Sequence, residues 1–470
     1  MLKKIKQNEI FILLLFYTIT AIVILFSFDG TGENGSGDSV LHYLFSKYSL
    51  NNPALFLDHW AKPVFVLLSF PFAQFGFIGI KLFNVIITFF TLLYTYKVAV
   101  SLNLKHPILA PLILLFTPLF FVLTFSGLTE PLFALFTILS TYLFTKKKYF
   151  WGILILSFLP FVRSEGLIII GVFAFYLLLK KQWKWTPLFS LGHIVYSIIG
   201  YFYYHDILWV FNKIPYAKLN STYGSGEITH FVHQLFYVIG APIYILLVLG
   251  FFFLIYSFLF GHNKLTFSIS NTLILGGFLS FFVAHSLFWY LGIFNSMGLK
   301  RVLISVAPFI AIICLVGFNS SINLIKENKL KIIVQFILIL VTILFPFSGN
   351  KAAINWKHDF SLSDSQLLAN ECILYINSIK DKKSTYAFSD PYLSEILSIN
   401  YFDKTIRKPL SFEYLNQTQE TDIIIWDNWF SFVENGITKE KIMGYDKLTL
   451  LKTFSIYNNR EITYLVFKKK

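Results

Sequence analysis

Long apolar runs broken by short polar stretches organise residues 10–347 of this chain. The runs cover 10–28, 78–100, 107–125, 130–145, 149–162, 167–179, 187–204, 235–260, 267–290, 302–318 and 332–347. Most are apolar all round, without the polar face of a surface helix, and the longer ones reach the length of a membrane span. The pattern predicts about 11 spans. A further apolar piece, 64–76, carries Pro71 in its middle; at about 13 residues and ~1.5 Å each it cannot cross a ~30 Å core. It is read as lying on, or dipping into, one face. The runs at 130–145, 149–162 and 167–179 are also short, a helix of about 14 residues rising only about 21 Å. Their polar ends, Glu130, Arg163 and Glu165, are therefore expected below the membrane surface, in a pit within the bundle.

The pattern changes at Ser348. Charges recur every few residues, 368–379 reads as an amphipathic helix, and 385–388, 422–426 and 462–467 read as strands. The expected fold class is thus an α-helical multi-pass membrane bundle over 1–347 with a small α/β domain over 348–470. Two long polar loops interrupt the bundle, at 29–76 and 205–234.

Composition agrees with a membrane chain: of 470 residues, 56% are hydrophobic, 19% aromatic and 14% charged, where soluble domains carry about 25% charge. The net charge of +14 would suit nucleic acid, but its distribution argues otherwise. One set of alternating loops holds 15 bases against two acids, the other eight of each, and the tail 16 bases and 15 acids. A positive excess on one side is what cytoplasmic loops carry, and no nucleic-acid partner is needed. This puts the N-terminus in the cytoplasm and the C-terminal domain outside. Lys3, Lys4 and Lys6 before the first run resemble a signal peptide, but the run is too long and lacks a small-residue cleavage site, so it reads as a retained span. Cys314 falls in a span and Cys372 in the tail, so no disulfide between them is expected. Lys-, Ile-, Asn- and Phe-heavy usage is that of an AT-rich bacterial genome, hence an inner membrane.

Candidate chemistry concentrates in the first loop, which gathers Asp29, Glu33, Asp38, His42, Asp58, His59 and Lys62. Asp38 follows a glycine-rich turn and precedes a helical stretch, which suits an N-cap and equally a general base. His42 lies one turn along on the same face, as a hydrogen-bond partner of Asp38 or a metal ligand. Lys62 precedes Pro63, which disfavours helical geometry at the lysine; its ammonium suits a phosphate or snorkelling to headgroups. Asp58 and His59 are two residues, not a metal site. Arg163 and Glu165 can pair with each other or with Glu130, or Arg163 can meet a phosphate through its guanidinium fork. Lys300 and Arg301 stand at the outer mouth of a span, as anchors or as ligands of a leaving phosphate. Tyr223-Gly224-Ser225-Gly226 reads as a mobile loop or a lid.

An acidic first outer loop with Gly37-Asp38-x3-His42 near its start and Lys62-Pro63 at its far end resembles the GT-C superfamily of integral-membrane glycosyltransferases. It is similar to the first-loop motif of the protein O-mannosyltransferases and lipid A aminoarabinose transferases. Ser39 and Val64 replace a second acid and a second proline of those motifs. Thr129-Glu130-Pro131 and Arg163-Ser164-Glu165-Gly166 also look like turns of that superfamily. The resemblance implies a polyprenyl-phosphate sugar donor, Asp38 as base and Lys62 as phosphate ligand. His42, Asp58, His59, Glu130, Arg163, Glu165 and Arg301 complete the candidate substrate-binding set. Expected partners are that donor, a saccharide, lipid or protein acceptor, and membrane lipids. A divalent metal is compatible with this inventory but not required, because the cations can offset the phosphate charge. Rival readings are a polysaccharide polymerase or ligase, whose key arginines would sit in large late loops, a lipid-linked-saccharide flippase, which would show internal symmetry, and a passive anchor for a binding tail.

Overall fold

The computed structural model describes all residues except 1, 33, 34, 36, 216–220, 262–266, 382, 383 and 459, and for 2–7 the backbone alone. Glu33, Lys218 and Lys264, which entered the loop charges above, lie outside the described residues. Among the described residues, six helices are long and apolar enough to cross a membrane: Asn8–Ser27, Phe77–Ser101, Ala241–Phe260, Ile269–Leu291, Lys300–Leu324 and Asn328–Phe347. The other five expected spans are short or interrupted. Pro118 splits the 107–125 run into helices Leu109–Leu115 and Pro118–Thr124, with Thr117 extended before it, because proline lacks the N–H a helix interior needs. The 187–204 run is helical only over Leu191–Tyr204, after a 3₁₀ stretch. Glu130–Thr145, Tyr149–Phe161 and Gly166–Leu179 are short apolar helices, as is Pro63–Ala73.

One apolar core runs through the bundle. Its axis is the Lys300–Leu324 segment, 89% of whose most apolar window is buried, whereas Asn328–Phe347, at 11%, lies on the periphery. That difference sets where chemistry can occur: Arg301 enters the centre of the bundle on the most buried element.

The C-terminal sheet has five strands, β1 (Thr385–Ala387), β2 (Arg407–Lys408), β3 (Asp422–Asp427), β4 (Leu448–Asn458) and β5 (Arg460–Lys469), in the order β2-β1-β3-β5-β4. β1 runs parallel to β2 and β3, while β5 is antiparallel to both its neighbours. β3 is buried along its whole length, with an apolar layer on each face of the sheet. One layer includes the Asp364–Ile379 helix, which opens on a Ser363–Gln366 capping box. β2 and β4 were not expected from the sequence. β4 is an edge strand with only Leu448 and Phe454 buried, so it lacks the alternation by which a strand is recognised.

The sheet layer is fastened to the first loop. The loop helix Gly37–Tyr48 donates from Tyr43 Oη and Lys47 Nζ to the Glu395 carboxylate, each at 3.0 Å. Gln366 Nε2 donates to Thr31 Oγ1 at 3.0 Å, and Gly30 N to the Phe360 carbonyl at 2.8 Å. Gly37 faces Phe430 so closely that a Cβ there would lie 2.4 Å from the ring. The glycine-rich turn is what lets the tail close over Asp38.

Candidate active site

Asp38 stands in the first turn of the Gly37–Tyr48 helix, where the helix dipole favours a carboxylate. It is ion-paired with Arg301. From there charge alternates inward. Arg301 Nε lies 3.4 Å from Glu130 Oε1, Arg163 Nη1 lies 2.7 Å from the same oxygen, and Arg163 Nη2 reaches Glu165 Oε1 at 3.0 Å. His285 Nε2 ends the row, 3.9 Å from Glu165. Glu130 is fully buried, and Arg301 is nearly so. Glu130 opens the Glu130–Thr145 helix and Glu165 caps the Gly166–Leu179 helix, so two short helices each aim a positive dipole end at a carboxylate. Shortness is what draws these groups inward together.

Two openings are built from the elements that carry this row. On one side a cavity of about 1230 Å³ lies between the bundle and the sheet layer, lined by Asp38, Trp60, Arg301, Tyr223, Trp429 and Phe430 among others. The Asp38 side chain is 42% exposed, its charge therefore open to that cavity. Burial works to raise its pKa, but the Arg301 guanidinium, with Arg163, outweighs it and holds the carboxyl below its ordinary value. On the other side an apolar groove of about 500 Å³ is walled by Ile168, Phe175, Ile255, Phe258 and Leu279. Its walls continue the helices that carry Glu165 and His285. Asp38 and Arg301 of the row line the cavity, while the groove is lined by residues further along the helices that carry Glu165 and His285 and by none of the charged groups.

Lys62 takes a left-handed backbone, φ 67° and ψ 89°, rather than the extended one expected before proline. It is buried, with Glu165, Asp38 and Asp58 within electrostatic reach, and its Nζ lies 3.5 Å from the His59 carbonyl. Burial, assisted by Arg163, pushes its pKa down to about 8 against the pull of those carboxylates.

The remaining candidates of the first loop do not line the large cavity themselves. His42 stacks on Trp60, ring centroids 5.0 Å apart, and stands behind that cavity-lining ring. Burial pushes it down to about 3, so it is neutral. Asp58 accepts the Ala61 N–H at 3.0 Å and shapes the turn before Lys62. His59 packs against Trp209 and Phe161 and is pushed down to about 4, chiefly by burial. Among the described residues, no group of three or more His, Cys, Asp or Glu is arranged to hold a metal ion. Sequence reasoning missed His285 and the whole contribution of the sheet layer. The available signal was Asp427-Asn428-Trp429-Phe430, an aromatic turn at the carboxyl end of a strand, where α/β sheets bind ligands.

The backbone path can be set against solved structures. The crystal structure of ArnT from Cupriavidus metallidurans bound to undecaprenyl phosphate matches 96% of this chain and 97% of its own, with a TM-score of 0.61 and 10% identity. The fold is that of ArnT. The apo crystal structure of the same protein gives a TM-score of 0.59 at the same identity and coverage. ArnT is the lipid A aminoarabinose transferase, a GT-C glycosyltransferase, one of the families whose first-loop motif the sequence resembles. No family model and no curated protein matches the sequence. At 10% identity the likeness to ArnT is one of fold.

Proposed function

We propose that this chain is a membrane glycosyltransferase that moves a sugar from a polyprenyl-phosphate donor to an acceptor hydroxyl on the extracytoplasmic face, with inversion. One observation carries the reading: a buried row of carboxylates and guanidinium groups opens on a polar cavity at Asp38, and two of its helices continue into the walls of an apolar groove. A lipid-linked sugar needs that combination, because its tail is apolar, its phosphate anionic and its sugar polar. The ArnT fold, seen in a protein bound to undecaprenyl phosphate, supports the same donor class.

In this reading the polyprenyl chain lies in the groove and the acceptor in the cavity. The acceptor oxygen attacks the anomeric carbon from the Asp38 side, and its proton passes to the Asp38 carboxylate. The bond from the anomeric carbon to the phosphate oxygen breaks, leaving its electron pair on polyprenyl phosphate. Lys62, with Arg301 or Arg163, meets the charge that grows there. Because Arg301 weakens Asp38 as a base, proton transfer comes late, once the acceptor oxygen is already bonding to carbon. A divalent metal is not needed for this step.

The test uses the full-length protein reconstituted with a radiolabelled polyprenyl-phosphate sugar and a membrane extract as acceptor. Wild type releases polyprenyl phosphate, and Asp38→Asn lowers the rate by roughly 10²–10⁴ with an unchanged thermal midpoint. Undiminished turnover in Asp38→Asn removes the base. A donor that crosses the bilayer intact, with none consumed, makes the chain a transporter instead.

A further inference from the structure

The sheet layer presents a second charged feature, away from the row that serves the donor. Arg407, in β2, lines the large cavity although only 9% of the residue is exposed. Its Nη2 donates to the Phe388 carbonyl at 2.8 Å and its Nη1 to the Tyr401 carbonyl at 3.4 Å, both neutral acceptors. Its Nε is buried with no hydrogen-bond partner, and among the described residues no carboxylate lies within ion-pair distance of it. The guanidinium lies 3.8 Å over the Tyr401 ring, which offsets part of the cost of burying it. A desolvated cation without a counter-charge is costly in a folded protein. The same desolvation makes an arriving anion far more strongly held than at a solvated lysine.

The surroundings fit a saccharide. β1, β2 and β3 are parallel and end at the cavity, where the following residues Ser389, Pro409, Trp429 and Phe430 line it. Ser389 Oγ accepts from Asn435 Nδ2 at 2.7 Å, and both residues line the same space. Aromatic rings offer flat faces to the C–H side of a pyranose, and the hydroxyl and amide offer donors and acceptors to its rim. Asp38 lines the same cavity but is paired there with Arg301, whereas Arg407 has no carboxylate within ion-pair distance among the described residues.

We propose that the carboxyl ends of β1, β2 and β3 form a subsite for an acidic acceptor saccharide, with Arg407 as the cation that receives its carboxylate or phosphate. This rests on the transferase reading for the word acceptor; the donor phosphate is a different anion, assigned above to Lys62 with Arg301 or Arg163, of which Arg301 alone also lines this cavity.

The test measures binding without donor, by ligand-observed NMR on the full chain in lipid nanodiscs. The probes are a neutral disaccharide, the same disaccharide with one residue oxidised to uronic acid, and inorganic phosphate. Wild type is expected to bind the acidic disaccharide at least about ten-fold more tightly than the neutral one. Arg407→Gln should erase that preference, and Arg407→Lys should keep most of it. Equal binding of the two disaccharides by wild type overturns the proposal, as does a preference that survives Arg407→Gln at unchanged thermal midpoint. Inorganic phosphate binding as tightly as the acidic disaccharide would make this a site for a free anion and also overturn it. No turnover is involved, so these failures leave the transferase reading standing, whereas full activity in Asp38→Asn sinks that reading and leaves the binding result intact.

Discussion

At Lys62 a backbone conformation, a buried ammonium and a neighbouring proline meet in one residue. The conformation is one that non-glycine residues adopt rarely, and it is held where Asp58 pins the turn before it. With its pKa pushed down to about 8, chiefly by burial, the lysine loses its charge as pH rises through that value. A donor phosphate is then met by a neutral amine, so kcat/KM for the donor should fall on the alkaline side with an apparent pKa near 8. Lys62→Arg should remove that limb from the measurable range, since a guanidinium does not titrate there. Asp38 acts oppositely: its pKa is lowered, so activity is lost only as pH falls below the ordinary carboxylate range. A pH–rate profile whose alkaline limb is the same in Lys62→Arg would detach Lys62 from the phosphate. Ionisable residues in apolar surroundings advertise themselves in a sequence, which is why Asp38, Glu130, Arg163, Glu165 and Arg301 were legible as candidates. His42, Asp58 and His59 looked equivalent to them, because neighbourhood in the chain does not tell a cavity wall from the packing behind it. Arg407 was invisible, since a charge in a soluble-type segment is ordinary until its burial is known.

The Gly37–Tyr48 helix owes its position to another element, the turn between helices Pro118–Thr124 and Glu130–Thr145. Gly127 N donates to Ser39 Oγ at 2.6 Å, and a Cβ on Gly127 would lie 2.7 Å from the Ser39 carbonyl oxygen and 2.8 Å from Ile80 Cγ2. Gly127→Ala must therefore push the helix that carries Asp38 away from the bundle. Overpacking of this kind costs about 1–3 kcal/mol, while misplacing a reacting group by about 1 Å can cost about 100-fold in rate. We expect this variant to stay folded and lose most of its turnover. Wild-type activity together with a lowered thermal midpoint would show that the close approach serves stability alone. Elements with a strong period or sharp composition were readable, including the Asp364–Ile379 helix and the fully buried β3. Those shaped by partners were not: β2 is two residues long, and the break at Gly240, with φ 75°, divides one apolar run into helices His230–Ile239 and Ala241–Phe260.

Across the whole molecule, the two layers carry different electrostatic conditions. In the bundle, Asp38, Glu130 and Glu165 are matched by Arg301, Arg163 and Lys62, so the row is near neutrality before any donor arrives. In the sheet layer, Asp390 and Asp427 are buried near each other. Burial and the Asp427 charge push Asp390 up to about 7. The folded state then binds more protons than the unfolded chain between the ordinary carboxylate range and about 7, so stability is greatest at the acidic end of that window and declines as pH rises through it. Thermal unfolding of the full chain should give a higher midpoint at about pH 5 than at about pH 8, and Asp390→Asn should flatten the difference. An unaltered slope in that variant would place the linkage elsewhere. The membrane class and the α/β tail were legible from composition and pattern. That the tail covers an outer loop was legible from its apolar half, but not which residues meet, because those contacts join segments more than 300 residues apart, such as Tyr43 with Glu395.

The strand order has an outcome in time. β5 lies between β3 and β4 although it follows both in the chain, so the sheet cannot close until β5 has left the ribosome. By then the helices of the bundle have been synthesised, and the Asp38 side of the cavity waits for the residues that cover it. The large cavity, which takes walls from both layers, is therefore complete only after the strand that ends at Lys469 has been made.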